Sequence, residues 1–131
     1  LTTSSGDLYL ARPGHDGERV AYRVIRTGLG RRCEIEGVEY VADQSLLYFA
    51  CKTAREPGLD GTLTLLAWSP ATRAEVAART IRIPQGAFAD LPGKGPVRPS
   101  GLARSPRDGS LVVTAAGHRA LVTLSPAGDL V

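Results

Sequence analysis

The side chains able to do chemistry in this chain are of two kinds. Carboxylates stand at Glu34, Glu36 and Asp60, and basic or hydroxyl groups at Lys52, Arg55, Arg98, Ser100, His118 and Arg119. Carboxylates brought to one point would hold Ca²⁺, which takes about six to eight oxygens in irregular geometry. Glu36 is the preferred metal ligand, with Glu34 and Asp60 behind it. Lys52, Arg55, Arg98 and Arg119, with Ser100 and His118 beside them, would receive a small anionic ligand, carboxylate or phosphate, through charge-assisted hydrogen bonds. The same cations could instead pair with Glu34, Glu36 and Glu56. A Glu before Gly, as at Glu36-Gly37, can also accept backbone N–H groups and serve only to set its strand.

His118, in the turn Gly117-His118-Arg119, is a candidate general base, although a turn histidine is commonly just solvated; His15 has a weaker claim. No Gly-x-Ser-x-Gly elbow, local triad signature or phosphate-cradling glycine loop between strand and helix occurs. The expectation is therefore a non-enzymatic module that binds a ligand or partner, with calcium as the ion that would organise it. The alternative is a metal-dependent hydrolase of lactones or phosphomonoesters, in which Glu36 anchors the ion and His118 or a carboxylate activates water. A purely structural or interaction module is the third reading.

The elements that must position these groups are short strands. Segment 34–52 reads as a hairpin: Ile35, Val38 and Tyr40 interleave with polar residues, and Leu46 to Cys51 is almost wholly apolar. A strand apolar at consecutive positions points greasy side chains to both faces and must be covered twice. Ser5-Gly6-Asp7-Leu8-Tyr9-Leu10-Ala11 resembles Gln44-Ser45-Leu46-Leu47-Tyr48-Phe49-Ala50, and 37–49 aligns without gaps on 101–113. The dipeptide Ser-Pro follows a further strand at Ser69-Pro70 and again at Ser125-Pro126. A repeat of about 40 residues made of strands and turns marks propeller blades.

The expected fold is all-β, a β-propeller fragment of about two and a half four-stranded antiparallel blades. One incomplete domain is divided into a partial blade at 8–33, a blade at 34–83, an inter-blade loop at 84–100 and a blade at 101–131. Strands are expected at 8–12 and 19–27, then at 34–40, 46–52, 62–69 and 74–83, then at 101–104, 110–116 and 119–125, with a stub at 129–131. One helical turn is expected at 85–91, stopped by Pro92. A two-sheet sandwich is the alternative, but its strands should each show one polar face. Fewer than three blades cannot close a ring, so further blades of a larger propeller, or copies of this chain, are expected to cover the terminal faces.

With 43% hydrophobic and 22% charged residues, the composition is that of a globular domain. The net charge of +3 is scattered, and aromatics make up only 5%, so nucleic acid is not an expected partner. No apolar run approaches the ~20 residues that span a bilayer.

Cys33 and Cys51 flank the hairpin. A turn on Asp43-Gln44 sets Cys51 opposite Glu36, and the cysteines then point to opposite faces. A three-residue turn sets it opposite Gly37, on the same face as Cys33 but roughly 13 Å away along the strand, too far for a bridge. Either register predicts two free thiols.

At Cys33-Glu34-Ile35-Glu36-Gly37-Val38, followed by Leu46-Leu47-Tyr48-Phe49-Ala50-Cys51-Lys52, and at Arg98-Pro99-Ser100-Gly101-Leu102, the chain resembles the SdiA-regulated (YjiK-like) family of bacterial β-propellers. The resemblance implies a larger closed propeller, frequently exported to the periplasm or cell envelope, with calcium associated and no established catalytic role; a cytoplasmic location stays open. Related gluconolactonase and phytase-like propellers use a similar Glu-Gly opening with the Glu as metal ligand. Here Ser100 stands where the second opening would carry that acid, so a full ring of acidic ligands is not visible.

Overall fold

The computed structural model describes residues 1–131, and no helical piece in it exceeds four residues. Ten strands follow in order: β1 Leu8–Ala11, β2 Tyr22–Ile25, β3 Cys33–Val41, β4 Leu46–Ala54, β5 Thr62–Ser69, β6 Ala74–Glu75, β7 Ile81–Pro84, β8 Gly101–Arg104, β9 Leu111–Ala115 and β10 Ala120–Leu124. They form three antiparallel sheets: β1-β2, then β3-β4-β5 with β6 and β7 both on the outer side of β5, then β8-β9-β10. Single bridges from Thr2 to Leu8 and from Leu124 to Leu130 extend the first and third sheets. No helix of the chain is long and apolar enough to cross a membrane.

The strand expected at 74–83 is interrupted. β6 pairs with the Trp68-Ser69 end of β5 and β7 with its Thr62–Leu65 end, and the 3-10 turn Ala77–Arg79 lies between them. Ala67 stays satisfied across this break: its carbonyl accepts the Val76 N–H at 2.8 Å and its N–H reaches the Thr80 hydroxyl at 3.4 Å. The helical turn expected at 85–91 is shorter, a 3-10 turn at Gln85–Phe88.

The second sheet is covered on both faces, as its uninterrupted apolar strands require. On one face Tyr48, Ala50, Leu63 and Leu65 pack with Leu111, Val113 and Leu124 of the third sheet. On the other, Phe49, Leu66 and Trp68 pack with Leu8 from the first sheet and Leu29 from the 3-10 turn that precedes β3. Each fully buried Leu, Val or Phe among them contributes about 1.5–3 kcal/mol relative to exposure. Trp68 is 1% exposed and its indole N–H has no acceptor, a local cost of about 1–3 kcal/mol set within that burial. This double covering differs from a two-sheet sandwich, whose sheets leave an outer face to solvent. The chain is therefore all-β, built of antiparallel sheets with the second between the other two. The outward face of the first sheet leaves Tyr22 64% exposed, and that of the third leaves Leu121 66% exposed.

Polar contacts lock neighbouring sheets. The Gly30 N–H donates to the Ser5 carbonyl at 3.0 Å and the Ile35 N–H to the Ser4 carbonyl at 2.9 Å, tying the first sheet to the second. Arg104 Nη2 donates to the Asp43 carboxylate at 3.0 Å, and Gln44 Nε2 to the Pro126 carbonyl at 3.1 Å, tying the second to the third. Gly37 of β3 lies so close to β8 that a Cβ on it would sit 2.9 Å from the Leu102 nitrogen. The leading strands of the second and third sheets thus run against each other.

The expected free thiols are overturned. Cys33 and Cys51 form a disulfide, with their Cα atoms 5.6 Å apart. The hairpin does follow the register centred on Asp43-Gln44, from Val41 opposite Leu46 to Gly37 opposite Ala50. It then slips. Ile35 pairs with Cys51 and Glu34 with Thr53, leaving Glu36 and Lys52 as extra residues on the two strands. The expectation of free thiols extended a regular ladder through this stretch. A bulge bends its strand and raises the local twist, and that bend brings together cysteines a flat ladder would hold apart.

Candidate functional site

One end of the second sheet gathers the start of β3, the end of β4, the 3-10 turn Pro57–Leu59 and the start of β5. The segment leading into β8 faces them. Between lies a cleft of about 210 Å³ lined by Lys52, Thr53, Asp60, Thr62, Gln85 and Arg98 among others. Gln85 builds one wall by gripping Val97 from both sides: its Nε2 donates to the Val97 carbonyl at 3.0 Å and its Oε1 accepts the Val97 N–H at 2.7 Å. This clasp holds the long connection, and with it Arg98, over the start of β5.

Lys52 sits at the rim, pointing to the carboxylates of β3. Its Nζ donates to Glu36 Oε1 at 2.7 Å and stands 4.0 Å from Glu34 Oε1. The hydrogen bond to Glu36 holds the ammonium above the usual lysine range, opposed by partial desolvation, and the Glu36 and Glu34 charges add to the rise. The charge of Arg98 acts on Lys52 in the opposite sense. Arg98 itself is exposed and makes no ion pair, and neither does Asp60. The cleft therefore combines a lysine ion-paired to Glu36, an unpaired guanidinium and an unpaired carboxylate.

Of the residues singled out in the sequence, Lys52, Asp60 and Arg98 meet in this cleft, and Glu34 and Glu36 join through Lys52. The others are placed elsewhere. Arg55 donates through Nη1 to the Gly30 carbonyl at 2.6 Å and braces the junction with the first sheet. The Ser100 hydroxyl lies 3.1 Å from the Thr114 carbonyl and accepts the Ala116 N–H at 3.2 Å, closing the start of the third sheet. His118 is buried, its Nε2 3.2 Å from the Gly95 carbonyl, and its ring packs on Gly93. That ring serves the connecting loop, with no carboxylate hydrogen-bonded to it. Arg119 follows in a left-handed conformation with φ 51° and makes no ion pair.

No three His, Cys, Asp or Glu side chains converge on one point, and the nearest cation to Glu36 is the Lys52 ammonium at 2.7 Å.

Three cleft residues escaped the sequence reading. Thr62 and Thr64 place their hydroxyls 2.7 Å apart, and Thr64 is buried. Their signal was present as the polar alternation opening the otherwise apolar run Thr62-Leu63-Thr64-Leu65-Leu66. Gln85 gave none, because its clasp on Val97 spans twelve residues of loop. No family model, curated protein or solved structure matches this chain.

Proposed function

We propose that the chain is a run of stacked blades from a β-propeller, and that the cleft between the end of its second sheet and the segment leading into β8 binds a small anionic ligand without catalysis. Support for the stacking comes from the doubly covered second sheet and the close approach of Gly37 to Leu102. The repeat at 37–49 and 101–113 falls on the corresponding strands of those two sheets. The exposed Tyr22 and Leu121 faces are then where further blades or another copy would stack. The resemblance to the SdiA-regulated propellers belongs to the same reading, as does an envelope location, toward which a disulfide leans because such bonds persist in oxidising compartments.

The observation that carries the ligand is Arg98, a guanidinium lining a polar cleft beside Lys52 with no acidic partner of its own. A planar carboxylate or phosphate matches its forked donors. Lys52, held by Glu36, would set the local potential and leave direct contact to Arg98.

Titration calorimetry with inorganic phosphate and with acetate tests this. Phosphate affinity should fall at least about tenfold in Arg98→Ala and persist in Glu36→Ala, the loss being that of one charge-assisted contact. Equal isotherms for the wild-type chain and Arg98→Ala would remove the anion site. Calcium chloride is the third titrant, and heat that disappears in Glu36→Ala would instead favour calcium as the organising ion.

A further inference from the structure

The Cys33–Cys51 bond crosses the hairpin at its one irregular stretch. Between the two cysteines the ladder slips at Glu34/Ile35 and again at Ile35/Gly37, and the two residues it leaves over, Glu36 and Lys52, form the ion pair at the rim of the cleft. Cys51 also lines the cleft, directly before Lys52. Beyond the slip the hairpin is held independently, by the regular pairing from Gly37 opposite Ala50 to Val41 opposite Leu46 and by apolar packing on both faces. The disulfide thus fastens a short, irregular end of an otherwise self-supporting sheet.

We propose that this bond is a redox-sensitive latch on the cleft rim. A dithiol supplies the chemistry. Cys33 is 0% exposed and Cys51 6%, so the thiolate of the dithiol attacks the sulfur of Cys51, and the S–S bond breaks with Cys33 leaving as thiolate. The second thiol of the reductant then resolves the mixed disulfide, so the dithiol is oxidised and two protein thiols are released. Without the bond, this end keeps the pairs of Cys33 with Ala54, Glu34 with Thr53 and Ile35 with Cys51, and the Arg55 and Glu56 N–H groups still donate to the Arg32 carbonyl beyond them, but the unpaired Glu36 and Lys52 lose the constraint that sets them facing each other. The remainder of the sheet stays folded, so the change is local and reversible on reoxidation.

The test is hydrogen exchange on the intact chain, oxidised and after dithiothreitol in native buffer, with released thiols counted in parallel. The expected result is two thiols freed without denaturant and amide exchange at least about tenfold faster at 33–37 and 52–55, with protection at 46–50 and 62–68 unchanged. A Cys33→Ser, Cys51→Ser double variant should reproduce the reduced pattern. Release of thiols only in denaturant would make the bond a buried staple, and loss of protection across the whole sheet would make it a global stabiliser. Unchanged exchange would leave the rim indifferent to it; each of these three results overturns the latch. The readout needs no ligand, so it stands or falls separately from the phosphate titration.

Discussion

Gly37 offers the sharpest check on how the second and third sheets meet. An Ala there would place its Cβ 2.9 Å from the Leu102 nitrogen, 3.1 Å from the Leu102 Cβ and 3.2 Å from the Gly101 carbonyl carbon. Comfortable contacts between such atoms lie near 3.5–4.0 Å, so β8 must retreat by about half an ångström. The obstacle is backbone, and β8 is backed by the core around Val113 and Leu124. Overpacking of this kind costs about 1–3 kcal/mol. Against it stands the reduced freedom of the unfolded chain on Gly→Ala, worth about 0.4–1 kcal/mol where the backbone tolerates Ala, and Gly37 does not have a positive φ. The clash wins, leaving a net loss of about 0.5–2 kcal/mol. Urea unfolding of Gly37→Ala should show a lower midpoint at unchanged slope. Gly58→Ala is the control, since nothing lies within 4 Å of its added Cβ and its φ is likewise not positive. A Gly37→Ala variant as stable as the wild type, or more so, would refute the close approach of the two leading strands.

Leu65 and Leu66 are adjacent, both 0% exposed, and belong to opposite cores. Each truncated to Ala should cost about 2–5 kcal/mol by denaturant unfolding; a sheet covered on one face alone would make one of the two nearly free. Lys52, followed by NMR titration of its side chain, should lose its proton above the usual lysine range and return toward it in Glu36→Gln. Because its folded-state pKa is raised, the stabilisation it brings is fully present below the unfolded-state value and fades as pH climbs through the folded-state one. A Lys52 titration indifferent to Glu36→Gln would break the rim pair.

The strands were legible in sequence because their signal is local. The run Leu46 to Cys51 announces a strand buried on both faces, β5 at Thr62–Ser69 and β8 at Gly101–Arg104 begin and end where the pattern sets them, and turn residues mark most of the gaps. Composition and the pattern of short strands and turns were enough for an all-β chain. Tertiary structure decided the rest. The slip at Glu36 and Lys52 depends on how the strand end bends over the first sheet, which no alternation of side chains encodes, and it alone turned two separated thiols into a bond. Whether Glu36 faces a metal, a backbone amide or the ammonium of Lys52, and whether Arg98 has a partner, are matters of ångströms between segments distant in the chain. Pattern reports which face a residue occupies; only the packed sheets determine what it meets there.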